Sequence, residues 1–222
     1  MNLEKRKGLL ERFGNFLIFL FPFLFFLTGV ISLINSAWFD LFFCFFGLLL
    51  SAIPFHIQKK TNLNFSLWLK VFILVFIWAS FTLGEMAGFY ARFFWWDMLF
   101  HTCAGVVFGL LAFNLFYILN KINTSSFMVS NSFLILFSIC FAISMGVFWE
   151  IGEFILDFFF KMNIRSDFIG ESLDVDTMFD LIFTFIGAII ANIFVYIYLV
   201  SKNKNLKNFF NKLVQFKKFK EA

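Results

Sequence analysis

The chain has 222 residues, of which 61% are apolar and 14% charged, with a mean hydropathy of +0.88 and a formal net charge of +4. A water-soluble domain of this size has no core large enough to hide that much apolar side chain, so the composition excludes a soluble globular protein and reads as an integral membrane protein. Two prolines, twelve glycines and 42 phenylalanines exclude disordered and collagen-like classes and leave long apolar helices.

Taken in order, six stretches are long enough to cross a hydrocarbon layer of about 30 Å: 13–34, 41–57, 71–90, 97–119, 127–149 and 177–200. Each is continuously apolar, without the in/out alternation of barrel strands, and a helix satisfies its own backbone in lipid. The expectation is therefore an all-α polytopic bundle forming a single transmembrane domain over 1–222. Lys5, Arg6, Lys7 and Arg12 precede the first run, which is too long for a signal peptide and lacks a small-x-small cleavage site, so it reads as an uncleaved first helix. Cys44, Cys103 and Cys140 fall inside apolar runs with no paired spacing, which indicates neither a disulfide framework nor a cysteine zinc site.

Alternate sides of these spans hold 15 and 3 of the 18 Lys and Arg residues, which places both termini in the cytoplasm. The same asymmetry accounts for the pI of 9.0, so nucleic acid is not an expected partner. The tail 201–222 is basic. Leu206, Phe209, Phe210, Leu213 and Phe216 recur among its lysines at near-helical spacing, as in a helix lying on an anionic leaflet or a solvated tail.

The acids divide the other way, with 11 of 14 on or near the predicted outer side. The third span carries Glu85 near its outer end at Tyr90. The fourth opens with Trp95, Trp96 and Asp97, and His101 follows Asp97 by four residues, on the same helical face. The fifth closes with Trp149, Glu150, Glu153 and Asp157 on one stripe, and the sixth begins with Asp174, Asp176 and Asp180. Asp97 and Asp176 have an alternative explanation as carboxylates complementing helix N-termini. Asp157 reads as an interfacial acid, His56 as an interfacial histidine, and Trp95 and Trp96 as belt aromatics. Glu85, His101, Glu150 and Asp180 lie inside or at the edge of apolar runs, where an ionised group costs roughly 2.5–3.5 kcal/mol at mid-membrane. Gly105 and Gly109 follow His101, and Gly187 and Ala191 follow Asp180, at spacings that let the fourth and sixth helices approach closely. An overlay of those two spans at an offset of 79 matches Asp97 to Asp176, His101 to Asp180 and Tyr117 to Tyr196, suggesting a parallel repeat.

Several carboxylates with one imidazole and no thiolate form a hard donor set suited to Mg²⁺, Mn²⁺ or Fe²⁺, and less well to Zn²⁺. Asp97, His101, Glu150 and Asp180 are the candidate ligands, and Glu153, Glu85 and Asp176 the candidate catalytic or supporting acids.

These residues resemble the YjdF-like family of bacterial inner-membrane proteins, which carry Trp-Asp-x-x-x-His, Trp-Glu-x-x-Glu and Asp-Thr-x-x-Asp followed by Gly-Ala. The matching positions are Trp96, Asp97 and His101, then Trp149, Glu150 and Glu153, then Asp176, Thr177, Asp180, Gly187 and Ala188, with Glu85 matching a further acid. The resemblance covers about 82–191, the core that carries the polar cluster. A more distant similarity is to VanZ-like proteins, from which Met98, Glu153 and Asp180 depart. The resemblance implies no reaction. Three classes of function stay open: a metal-dependent enzyme whose outward-facing site acts on a lipid or lipid-linked envelope substrate with activated water as nucleophile, or a cation- or proton-binding membrane protein or transporter. A non-catalytic envelope protein is the third. Membrane lipids are the expected partners, and neither substrate nor oligomeric state is legible.

Overall fold

The computed structural model describes residues 3–60, 63–122, 129–160, 173–201 and 214–216. Its elements are α1 (Leu3–Ile34), α2 (Trp38–Lys60), β1 (Leu63–Phe65), α3 (Leu67–Trp78), which continues as a π-helix over Ala79–Met86, α4 (Phe89–Arg92), α5 (Phe94–Ile122), α6 (Asn131–Phe160), α7 (Leu173–Val200) and β2 (Val214–Phe216). Six apolar helical stretches are long enough to span a membrane: Gly8–Ile34, Trp38–Lys60, Leu67–Met86, Phe94–Tyr117, Asn131–Phe160 and Val175–Val200. All six expected spans are present and the fold is all-α. The helices run past the apolar limits because charged ends such as Lys59–Lys60 and Glu150–Asp157 continue the backbone ladder beyond the apolar stretch.

Two compact units divide the chain, one of 1–88 with 208–222 and one of 89–207. In the first, α1 packs on α2 and α3. Phe25, fully buried, lays its ring over Gly47, where a Cβ would sit 2.6 Å from the ring edge, and Phe43, Cys44, Leu74 and Phe81 complete that core. Ser66 caps α3 by accepting a hydrogen bond from Leu69 N at 3.2 Å. The third span ends earlier than the expected Tyr90. Its last turns widen into the π-helix, Ala87 N bonds back to Thr82 O at 3.0 Å, and Gly88 takes a left-handed φ of 71° that only glycine adopts freely. Glu85 therefore sits in the final turn of a π-helix.

β1 and β2 form an antiparallel ladder pairing Leu63 with Phe216 and Phe65 with Val214. Phe216 is thus in a strand, so of the two readings of the tail the surface helix does not hold over Val214–Phe216. Leu206, Phe209, Phe210 and Leu213 lie outside the described residues.

In the second unit, α5, α6 and α7 pack together, α5 most extensively on α7. The seam is built from small residues. A Cβ on Gly105 would drive into the carbonyl oxygen of Thr184, and one on Gly187 into the carbonyl oxygen of Thr102, with carbonyl carbons at 2.9 Å in both cases. The two helices therefore touch backbone to backbone through a reciprocal Thr-x-x-Gly contact, the geometry in which Cα–H groups meet carbonyls. On α6 the buried positions Leu134, Ser138, Ala142, Gly146 and Glu150 recur every four residues, one face turned to the same seam. The far end of this unit, as seen from His101, is closed by Phe113, Leu134 and Val195 with Phe116, Tyr117, Ile135 and Leu199 around them.

The reciprocal contact relates α5 to α7 at an offset of 82, whereas the acids overlay at 79. Tyr117 meets the Tyr198 ring at 6.4 Å, while Tyr196 is 60% exposed. The chemical echo and the packing symmetry therefore run in different registers.

Candidate metal centre

Three helices of the second unit deliver the cluster. Asp97 stands in the first turn of α5, where a carboxylate complements the helix dipole, and His101 follows one turn later on the same face. Glu150 belongs to the buried stripe of α6 and Asp180 to the second turn of α7. The close α5–α7 contact just beyond His101 brings these positions together.

His101 is the hub. Its Nε2 lies 3.5 Å from Asp97 Oδ1, 3.7 Å from Asp180 Oδ1 and 3.8 Å from Glu150 Oε1. All three exceed the 2.7–3.2 Å typical of an N–H···O hydrogen bond. Around a cation held at about 2.1 Å, neighbouring ligand atoms stand roughly 3.0 Å apart in an octahedron and 3.4 Å in a tetrahedron. The donors are thus spread a few tenths of an ångström wider than a closed coordination shell. Asp97, His101 and Asp180 each offer one donor atom within 4.8 Å of the others. Glu150 reaches the same nitrogen from α6 but stands outside that closest triplet.

The other ring nitrogen is tied down. His101 Nδ1 lies 3.3 Å from Thr184 Oγ1, and Thr184 is completely buried on α7, one turn beyond Asp180. His101, Glu150 and Asp180 have side chains only 5–8% exposed, whereas Asp97 is 22% exposed, so the cluster opens on the Asp97 side.

Electrostatically the arrangement is unbalanced. Asp97 and Asp180 are near enough to share a hydrogen bond, and both feel the charges of Glu150 and Asp176. Two buried carboxylates and a third at the open edge, all around one imidazole, cannot all stay ionised in a low-dielectric setting without a compensating positive charge. Protons or a cation must supply it.

Of the remaining sequence candidates, Asp176 is half-buried on α7 within electrostatic reach of Asp97 and Asp180. Glu153 is engaged on its own helix, accepting a 2.6 Å hydrogen bond from the Trp149 indole. Glu85 belongs to the other unit. Sequence reasoning missed Thr184, because a lone threonine in an apolar run reads as a packing residue. A signal was present: it follows Asp180 by four residues on the acid-bearing face. It also missed Ser138 and Asn192, buried three turns from Glu150 and Asp180. Asn192 Oδ1 lies 2.8 Å from Ser138 Oγ, and its amide donates to Ala188 O at 2.8 Å. This pair is neutral, and the carboxylates and the imidazole of α5–α7 all lie towards the other end.

The chain is 27% identical over 134 residues to an uncharacterized protein of Thermotoga maritima, a match covering 60% of this chain and 65% of that protein. The match spans just under two thirds of that relative's length. No solved structure matches the chain. A family model described as a predicted membrane protein, DUF2238, matches residues 14–201. That stretch takes in five complete spans, most of the first, and every residue of the cluster, and on it the chain belongs to the DUF2238 family of predicted membrane proteins.

Proposed function

We propose that the cluster is an intramembrane divalent metal centre, and that the protein is a metal-dependent enzyme of a bacterial inner membrane acting on a lipid or lipid-linked envelope substrate. One observation carries this reading. His101 turns Nε2 toward three carboxylates at separations too long for hydrogen bonds and close to the edges of a coordination shell, while Nδ1 is engaged by Thr184. Ligating histidines usually have the second nitrogen held in this way.

Asp97, His101 and Asp180 would hold the ion, with Glu150 completing the set. Three oxygens and one nitrogen favour Mg²⁺, Mn²⁺ or Fe²⁺ over softer ions, with Zn²⁺ a weaker match. Such an ion supplies Lewis acidity for polarising a phosphoryl or acyl oxygen. Asp176, within electrostatic reach of Asp97 and Asp180, is placed to exchange protons, and the exposed edge at Asp97 is the side from which a substrate would approach. The excess of Lys and Arg on alternate loops supports an outward-facing edge and cytoplasmic termini. The motif resemblance to YjdF-like proteins, and more distantly to VanZ-like ones, belongs to this reading and adds no reaction to it.

A second reading is supported by the crowding of Asp97, Asp180 and Glu150 around one imidazole, which a proton held among the carboxylates would relieve: a cation- or proton-binding membrane protein without chemistry. Elemental analysis separates the two. Detergent-purified protein, dialysed against trace metals and carrying no metal-binding tag, should retain close to one metal per chain. Asp97→Asn, His101→Ala and Glu150→Gln should each lose it. Well-folded wild type without metal would refute the metal centre and leave the proton-binding reading.

A further inference from the structure

We infer that Thr184 is the positioning residue of the centre, committing His101 to donate from Nδ1 and to offer Nε2 as the ligand nitrogen. This rests on the metal-centre reading above. An imidazole has two nitrogens, and in its neutral form the one that gives up its proton to become a ligand is set by what the other can donate to. Nε2 faces the carboxylates of Asp97, Asp180 and Glu150, which by themselves would hold a proton on that nitrogen and spoil it as a ligand. Thr184 Oγ1, 3.3 Å from Nδ1, is the neutral acceptor that lets the proton reside on the other side of the ring.

The surroundings of Thr184 explain how its hydroxyl is held in place. The residue is fully buried, and β-branching restricts its χ1. From α6, Gly146 lies so close that a Cβ there would meet Thr184 Cγ2 at 3.0 Å and Oγ1 at 3.3 Å. From α5, Gly105 lets the Thr184 backbone come into direct contact one turn from His101, which brings the hydroxyl within reach of the ring. Two helices thus leave out a side chain where they face this one threonine. Thr184 is also one turn from Asp180, so a single face of α7 supplies both a first ligand and the group that orients another. Asp180 and Thr184 grip His101 from its two nitrogens.

The test is Co²⁺ binding to detergent-solubilised full-length protein, followed by visible absorption and by competition with a chelator. Thr184→Val keeps the shape and removes the acceptor; it should raise the Co²⁺ dissociation constant about 10–100-fold, the usual cost of losing such a partner, and alter the absorption bands. Thr184→Ser restores the hydroxyl and should return both towards wild type, which a packing role would not do because serine lacks the methyl group. If Thr184→Val does not fold, Thr184→Ala against Thr184→Ser makes the same comparison. Wild type that binds no Co²⁺ overturns the metal centre and this role together. Wild type that binds it, with valine or alanine binding equally well, overturns the role of Thr184 alone and leaves the centre standing.

Discussion

Replacing Gly105 by Ala adds one methyl group at the tightest point of the α5–α7 seam, and its cost follows from what that methyl meets. The obstruction is the Thr184 carbonyl and the backbone nitrogen of Ala188 at 3.0 Å, neither of which can rotate away. The helices must separate by an amount on the order of 1 Å, which forfeits a quarter to a half of the dispersion well of each seam contact. Overpacking of a core costs about 1–3 kcal/mol when side chains can yield, and an obstruction made of backbone lies at the upper end or beyond it. A loss of about 3 kcal/mol corresponds to a fall in melting temperature of roughly 6–12 °C for a chain of this size. The same separation widens the 3.3 Å contact between His101 and Thr184 and the 3.7 Å contact between His101 and Asp180, so metal retention should fall with stability. Gly152→Ala is the internal control, since nothing lies within 4 Å of its Cβ position, and the better helix former should leave the melting temperature unchanged or raise it slightly. The assay is thermal unfolding in micelles with metal content measured on the same samples. Equal melting of Gly105→Ala and Gly152→Ala would refute the backbone contact as the determinant of the seam.

The buried Ser138–Asn192 pair should couple weakly. A double-mutant cycle with Ser138→Ala and Asn192→Ala should give about 0.6 kcal/mol, the average for hydrogen bonds between membrane helices, and a coupling of zero would show that the 2.8 Å contact contributes nothing. Topology is checked separately: reporters active only in the cytoplasm should work when fused to either end of the chain, and a reporter in the loop after α6 should be silent. Activity at that loop alone would invert the orientation and turn the Asp97 edge inward.

Much of this architecture was legible because bilayer physics makes spans long and apolar. The positions of Asp97, His101, Glu150 and Asp180 stood out for the related reason that charge is costly there. Spacing of four placed Asp97 with His101 correctly, and the glycines that follow His101 and Asp180 foretold the close contact. Local chemistry left a weaker trace. Nothing in Ala79–Met86 marks a π-helix, because one wide turn is decided by packing and by the left-handed turn at Gly88 that follows. Spacing put Glu150 and Glu153 on one stripe with equal claims. The structure separates them, because the Trp149 indole engages Glu153 while Glu150 faces His101. The offset of 79 failed as a packing register because acids are placed by the site and glycines by the crossing, and the two sit on slightly different faces of the same helices.

The reciprocal contact between Thr102–Gly105 and Thr184–Gly187 also has a mechanical meaning. The backbones of α5 and α7 come closest over that one turn, and taken as a fulcrum the crossing has Asp180 roughly 8 Å to one side and Phe113 and Val195 roughly 14 Å to the other, at 1.5 Å per residue. A rocking of about 5° about that point moves Asp180 by ~0.7 Å and the far ends by ~1.2 Å in the opposite sense. Such a rocking would change the span of the carboxylates around His101 together with the packing of the aromatic end around Tyr117 and Tyr198, more than 20 Å away along the helices.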